Sequence, residues 1–167
     1  LLLAGAAALA AAPAAAEVAP SDEVETFTIW GRGLDLMGIA RSGSEGVVGY
    51  EDLQNRPLLR AGELVENVPG LIATQHSGTG KANQYFLRGF NLDHGTDLAV
   101  SIDGAPINMR THAHGQGYLD LNFVIPELVQ QIAYRKGPYS AEIGDFAAAG
   151  SLEMTTYDTL PADFVQA

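Results

Sequence analysis

The stretch Gln84–Asn108 constrains this chain more than any other. It reads Q-Y-F-L-R-G-F-N-L-D-H-G-T-D-L-A-V-S-I-D-G-A-P-I-N. Two short runs rich in β-branched and aromatic residues flank a polar, glycine-containing loop, which is the pattern of a β-hairpin. The second run, Leu98–Ile102, ends at Asp103-Gly104, a dipeptide suited to a tight turn at positive φ. Ile107 then restarts an apolar segment. The expected path goes up, over, down and turns again. It makes Asn91–Asp97 one tip and brings the segment after Asn108 to the same side.

The chain has 167 residues, room for one ordinary domain and a tail. A net charge of −11 and a pI near 4.5 exclude a nucleic-acid binder, which needs a basic face. There is no cysteine, so disulfides and thiolate metal sites are not available. Residues 1–16 form an apolar run ending in Ala14-Ala15-Ala16. This looks like the end of a secretory signal peptide with its A-x-A cleavage site, and the alternative is a short Ala-rich helix. The run falls short of the roughly 20 apolar residues that a spanning helix needs. An exported protein is expected.

Residues 17–46 read as a flexible lead, acidic at first and Gly/Ser-rich later. Within it, Phe27-Thr28-Ile29-Trp30 is a β-prone patch with no partner next to it in sequence. Val47–Tyr50 reads as a first strand. Ala61, Leu64, Val65 and Val68 fall on one face of a helix, stopped by Pro69-Gly70. Leu71–Thr74 and Gln131–Arg135 read as strands, with a short helix at Pro126 between them in sequence. In Ser151–Thr156, Leu152, Met154 and Thr156 alternate with polar neighbours, as in a half-buried strand. Strands and short helices mix without a βαβ rhythm, so an α+β domain with a small mixed sheet and long loops is expected over 47–156.

The order of these pieces resembles the plug domain of TonB-dependent outer-membrane receptors. The resemblance is carried by E-L-V-E-N-V-P-G (63–70), L-R-G-F (87–90), V-S-I-D-G-A-P-I (100–107), P-E-L-V-Q-Q-I (126–132), R-K-G-P-Y-S (135–140) and the Gly144–Gly150 stretch. It implies structural roles for Arg88, Gly89, Asp103, Gly104, Arg135, Lys136, Gly137 and Pro138, with Arg88 pairing an acidic group of the sheet or of a barrel wall. It also implies that Glu25, Thr26, Phe27, Thr28, Ile29 and Trp30 form a TonB box, which adds a strand to the TonB C-terminal domain by β-augmentation. The alternative for that patch is a first strand of the domain's own sheet. A barrel of about 22 strands would follow, with residues 157–167 as the linker toward it and the outer membrane as the location.

All four histidines map to expected loops. His94 lies at the hairpin tip and His112 and His114 lie in the following loop. His76 and Lys81 lie in the loop before Tyr85, which the resemblance places at the outward-facing end. In an extended H-A-H segment the rings of His112 and His114 share a side. With His76 or His94 nearby, they are able to hold Zn²⁺ or Cu²⁺, contact a chelate, or bind an anion when protonated. Hydrogen bonding to neighbouring loops is the plain alternative. The expected function is ligand capture and TonB-coupled uptake of a scarce nutrient, with ferric siderophores or other metal species favoured. A stand-alone exported binding module is the second reading. A zinc hydrolase using His112, His114 and Asp120 is more remote, since no H-E-x-x-H or G-x-S-x-G motif is present. A phosphate loop at Gly78–Lys81 fails because Gln75 and Ala82 stand where Gly and Ser/Thr are needed. No cofactor and no catalysis are expected.

Overall fold

The computed structural model describes residues 38–75, 78 and 80–159. The signal-like run, the Glu25–Trp30 segment, His76 and residues 160–167 lie outside the described residues. In chain order the strands are β1 (Ile39–Ala40), β2 (Glu45–Val48), β3 (Leu71–Thr74), β4 (Gln84–Leu87), β5 (Phe90–Leu92), β6 (Leu98–Ile102), β7 (Ala105–Pro106), β8 (Val129–Lys136) and β9 (Gly150–Thr156). One α-helix, α1 (Tyr50–Gln54), joins 3₁₀ segments at Ala61–Asn67, Asp93–Gly95, Pro126–Leu128 and Ala141–Ile143.

These strands build two sheets. The larger has the order β1-β2-β8-β9-β6-β7 and is mixed, because β6 runs parallel to β9 while its other pairs are antiparallel. The smaller is an antiparallel β3-β4-β5 meander. Alternation in β9 buries Leu152 and Met154 and leaves Ser151 and Glu153 half-exposed, as the period-2 pattern requires. Leu98 and Val100 of β6, Ile132 and Tyr134 of β8, and Leu71, Tyr85 and Leu87 of the small sheet join them in one core. The architecture is the expected α+β domain with a small mixed sheet.

Two turns explain how so short a chain reverses so often. Asp103 and Gly104 have φ of 50° and 78° and join β6 to β7 with Ile102 opposite Ala105, the primed two-residue turn expected of Asp-Gly. Asp103 also latches the far end of β9. Its carboxylate accepts the Thr156 N–H at 2.9 Å and the Thr156 hydroxyl at 2.6 Å. Glu153 accepts the Gly104 N–H at 2.8 Å and the Ser101 hydroxyl. The second turn is Arg88-Gly89, with φ of 51° and 85° and Leu87 opposite Phe90.

That second turn corrects the expected hairpin. The partner of β4 is β5, not β6, and the reversal falls on Arg88-Gly89 rather than across Asn91–Asp97. Arg88 is spent on the turn. Its guanidinium donates to the Lys136 carbonyl at 3.3 Å, and it makes no ion pair with a carboxylate among the described residues. A second correction concerns Ala61–Asn67, which buries the expected Leu64 and Val65 but winds as a 3₁₀ helix. Val68 precedes Pro69 and is driven to an extended conformation, which cuts the segment short. Gly62 also packs against Asn83, where a Cβ would lie 2.3 Å from the amide oxygen. The ordered sheet starts earlier than expected, since β1 and the first half of β2 fall within residues 17–46.

The Lys136-Gly137 region ties the strand ends. The Gly137 N–H donates to Ala149 at 2.7 Å, and the buried Lys136 reaches the Gly43 carbonyl at 3.4 Å and the face of Tyr134. Burial, and then the Arg88 charge, hold the Lys136 ammonium below its ordinary pKa. Arg135 pairs with Glu45 at 3.5 Å and Glu142 at 3.9 Å.

Two outcomes follow from these contacts. Gly95 has φ of 83°, and a Cβ there would sit 2.3 Å from the Leu119 Cβ. Gly95→Ala combines backbone strain with overpacking and should cost about 2–5 kcal/mol in urea denaturation. The bonds from Thr156 hold the Asp103 carboxyl below its ordinary value of 3.8. A carboxylate with a depressed folded pKa contributes stability above its unfolded pKa and loses it as pH falls through the folded value. Stability of the wild-type chain should therefore decline below about pH 4 more steeply than that of Asp103→Asn, as thermal melts across pH will show.

Candidate functional site

The candidate site grows from the loop Met109–Tyr118, which is closed on itself. Met109 and Tyr118 form an isolated antiparallel bridge, and the Gly117 N–H returns to Met109 at 2.8 Å. Asn108 holds the base of this loop from three directions. Its amide nitrogen donates to the Leu98 and Gly117 carbonyls, both at 2.9 Å, and its oxygen accepts the Val100 N–H at 2.8 Å. The loop is clipped to the Asp93–Gly95 turn by Leu119 N–H to the His94 carbonyl at 2.8 Å and by the Thr96 hydroxyl to Gln116 at 2.9 Å.

Tyr118 stands at the centre. It is buried, and its hydroxyl accepts the N–H of the fully buried Ala82 at 2.9 Å. Three imidazoles surround its ring. His112 stacks on it with centroids 3.9 Å apart and planes at 18°, His94 lies at 5.4 Å, and His114 lies edge-on at 6.1 Å. His94 and His114 meet edge to face at 4.3 Å.

The expected hairpin tip put His94 outside, and this is corrected. It is 1% exposed, in a left-handed backbone conformation at φ 50° that turns the ring under the loop. Its Nδ1 lies 2.9 Å from the Ala82 carbonyl. A carbonyl only accepts, so Nδ1 is the protonated donor of this bond and Nε2 is the nitrogen on the ring's other side. That Nε2 lies 3.7 Å from an Asp93 carboxylate oxygen. One ligating atom each from Asp93, His94 and His114 lies within 4.8 Å of the others. Asp93 and His114 are exposed, so this trio is one fixed group and two accessible ones.

His112 stands apart from the trio. Its Nδ1 accepts the His114 N–H at 3.1 Å, and the two rings are 6.5 Å apart. The loop thus places His112 on the tyrosine and His114 on His94, rather than side by side as an extended segment would. Lys81 is exposed, and its carbonyl accepts from Asn122 at 3.3 Å. Asp93, Tyr118 and Asn108 were missed in the sequence. Asp93 carried a signal, since it directly precedes His94. Tyr118 and Asn108 carried none, because the Tyr118 hydroxyl meets Ala82, 36 residues away, and Asn108 bonds backbone groups, which no side-chain pattern marks.

Tyr85 lines the same region from below, fully buried. Burial foremost, then the nearby Asp120 and Tyr118, push its phenol pKa far up, so it stays neutral.

With this geometry in hand, comparison with known proteins fixes the family. The profile described as TonB-dependent Receptor Plug Domain matches residues 38–151, and the chain belongs to that family. Among solved structures, the siderophore receptor PirA from Acinetobacter baumannii is 27% identical, with a TM-score of 0.53, over 71% of this chain and 18% of that one. A ferric enterobactin receptor, PfeA from Pseudomonas aeruginosa, in a G324V mutant form, is 24% identical, with a TM-score of 0.54, over 70% and 18%. The copper transporter OprC shares the fold at 18% identity, with a TM-score of 0.54, over 73% and 18%. The chain thus spans under a fifth of the length of these receptors.

Tyr118 provides the test of this assembly. Tyr118→Phe keeps the ring stacking and leaves the buried Ala82 N–H without its acceptor, which should cost about 1–3 kcal/mol in chemical denaturation. Near-wild-type stability would show that the bond does not hold the loop.

Proposed function

We propose that this chain is the plug of a TonB-dependent outer-membrane receptor, closing the lumen of a following β-barrel and releasing it when TonB engages. The observation that carries this reading is the plug profile over residues 38–151. The likeness to a siderophore receptor supports a metal species as cargo, and the fold shared with a copper transporter is compatible with it. His114 and the buried His94, with His76 and Lys81 from the preceding loop, are the cargo contacts, and His112 positions His114 from its stack on Tyr118. Glu25–Trp30 is the segment that TonB captures from the periplasm, and 157–167 leads into the barrel. The role is transport, with no reaction performed on the cargo.

β-augmentation takes its grip from backbone N–H and C=O groups, so one lost donor in the pairing strand is informative. Ile29→Pro removes an N–H and resists the ladder geometry. In the receptor with its barrel, this variant should bind the TonB C-terminal domain at least tenfold more weakly than wild type. It should also abolish TonB-dependent accumulation of the cargo in cells. Equal binding by the proline variant would overturn the assignment of Glu25–Trp30.

A further inference from the structure

We infer that Asp93, His94 and His114 form a three-ligand site for a borderline divalent metal ion, Zn²⁺ or Cu²⁺, with His112 outside the coordination shell. This deepens the uptake reading above and rests on it for the identity of the ion as cargo. The first argument is distance. Ligands 2.0–2.1 Å from a tetrahedral centre stand about 3.3 Å from one another. The donor atoms of the trio already lie within 4.8 Å, so closure needs shifts of about 1 Å in the two exposed side chains and none in the buried one.

The second argument is the state of the buried ligand. The Ala82 carbonyl fixes the Nδ1–H tautomer of His94, the arrangement in which a metal-binding imidazole is usually held by its other nitrogen. Its Nε2 lies 3.7 Å from an Asp93 carboxylate oxygen, and the His114 ring meets the His94 ring edge to face at 4.3 Å. The third argument is the division of labour within His112-Ala113-His114. The Nδ1 of His112 is taken by the His114 N–H, and its ring is stacked on Tyr118. It positions His114 over His94 and is not itself a ligand.

The donor set names the ion class. Two imidazoles and one carboxylate, in a chain without cysteine, suit Zn²⁺ or Cu²⁺ and give no soft ligand for Cu⁺. Three protein ligands leave a fourth position open. An ion held that way exchanges with water, with a chelator or with a donor from elsewhere in the receptor, as cargo must.

The test is calorimetric titration of the receptor, barrel included, with ZnCl₂ and CuCl₂, run beside TonB binding on the same samples. His114→Ala and Asp93→Asn should each weaken the tighter of the two ions at least tenfold. His112→Gln should change it by less than threefold. X-ray absorption at the metal edge should show a nitrogen and oxygen shell with two imidazoles in wild type and one in His114→Ala. Because His94 is buried, His94→Gln is judged only where its melting curve matches wild type. Wild-type receptor that engages TonB but binds neither ion overturns the site while leaving the transport reading standing. Metal binding unchanged in both His114→Ala and Asp93→Asn overturns it as well, as does a His112→Gln loss equal to theirs. Failure to engage TonB with metal binding intact sinks the cargo role and leaves the site.

Discussion

The hydrogen bond from the Ala82 N–H to the Tyr118 hydroxyl holds the functional end of this domain together. Ala82 enters β4 of the small sheet, and Tyr118 ends the loop that leaves the large one. Their bond spans 36 residues of sequence and lies fully buried. In such surroundings an unmade bond is expensive, so the tyrosine has little freedom to leave. With the tyrosine fixed, the stacked His112 is fixed, and through the His114 N–H so is the approach of His114 to His94. The Ala82 carbonyl, on the same residue, sets the tautomer of His94. One alanine backbone thus orients both a packing residue and a metal-competent one.

Local chemistry made some of this legible in the sequence. Asp103-Gly104 takes the turn its residue types demand, and the alternation of Leu152 and Met154 with polar neighbours is that of β9. Arg88-Gly89 was not legible as a turn, because arginine is not among the residues that favour left-handed φ, and apolar neighbours made the run look continuous. The 3₁₀ winding of Ala61–Asn67 has the same buried face as an α-helix would, so periodicity could not separate them. The placement of β6 beside β9, some 50 residues away, rests on register between distant segments that no window of sequence contains.

The histidines show the same division. Their concentration in loops was visible, and three of them do converge, with His76 outside the described residues. The order of convergence was not visible. An extended H-A-H segment suggests a pair, but the loop curls, so that one ring serves packing and the other meets a buried partner. Burial of His94 depends on a left-handed residue followed by a left-handed glycine, a conformation that turns the chain inward where a simple hairpin would point it out.

The opening hairpin has a mechanical meaning. β1 and β2 pair with Ile39 opposite Val47, so the chain enters at Gly38 and leaves at Gly49 on the same side. Tension between those points loads the ladder one rung at a time, like a zipper, rather than all rungs together in shear. β1 has only two residues, and the carboxylate of Asp52 clasps the N–H groups of both Gly38 and Gly49. A pull arriving from the N-terminal side would therefore meet the Asp52 clasp and a two-rung zipper first. The buried β8-β9-β6 strands, and the histidine loop beyond them, would feel it only after that fuse had opened.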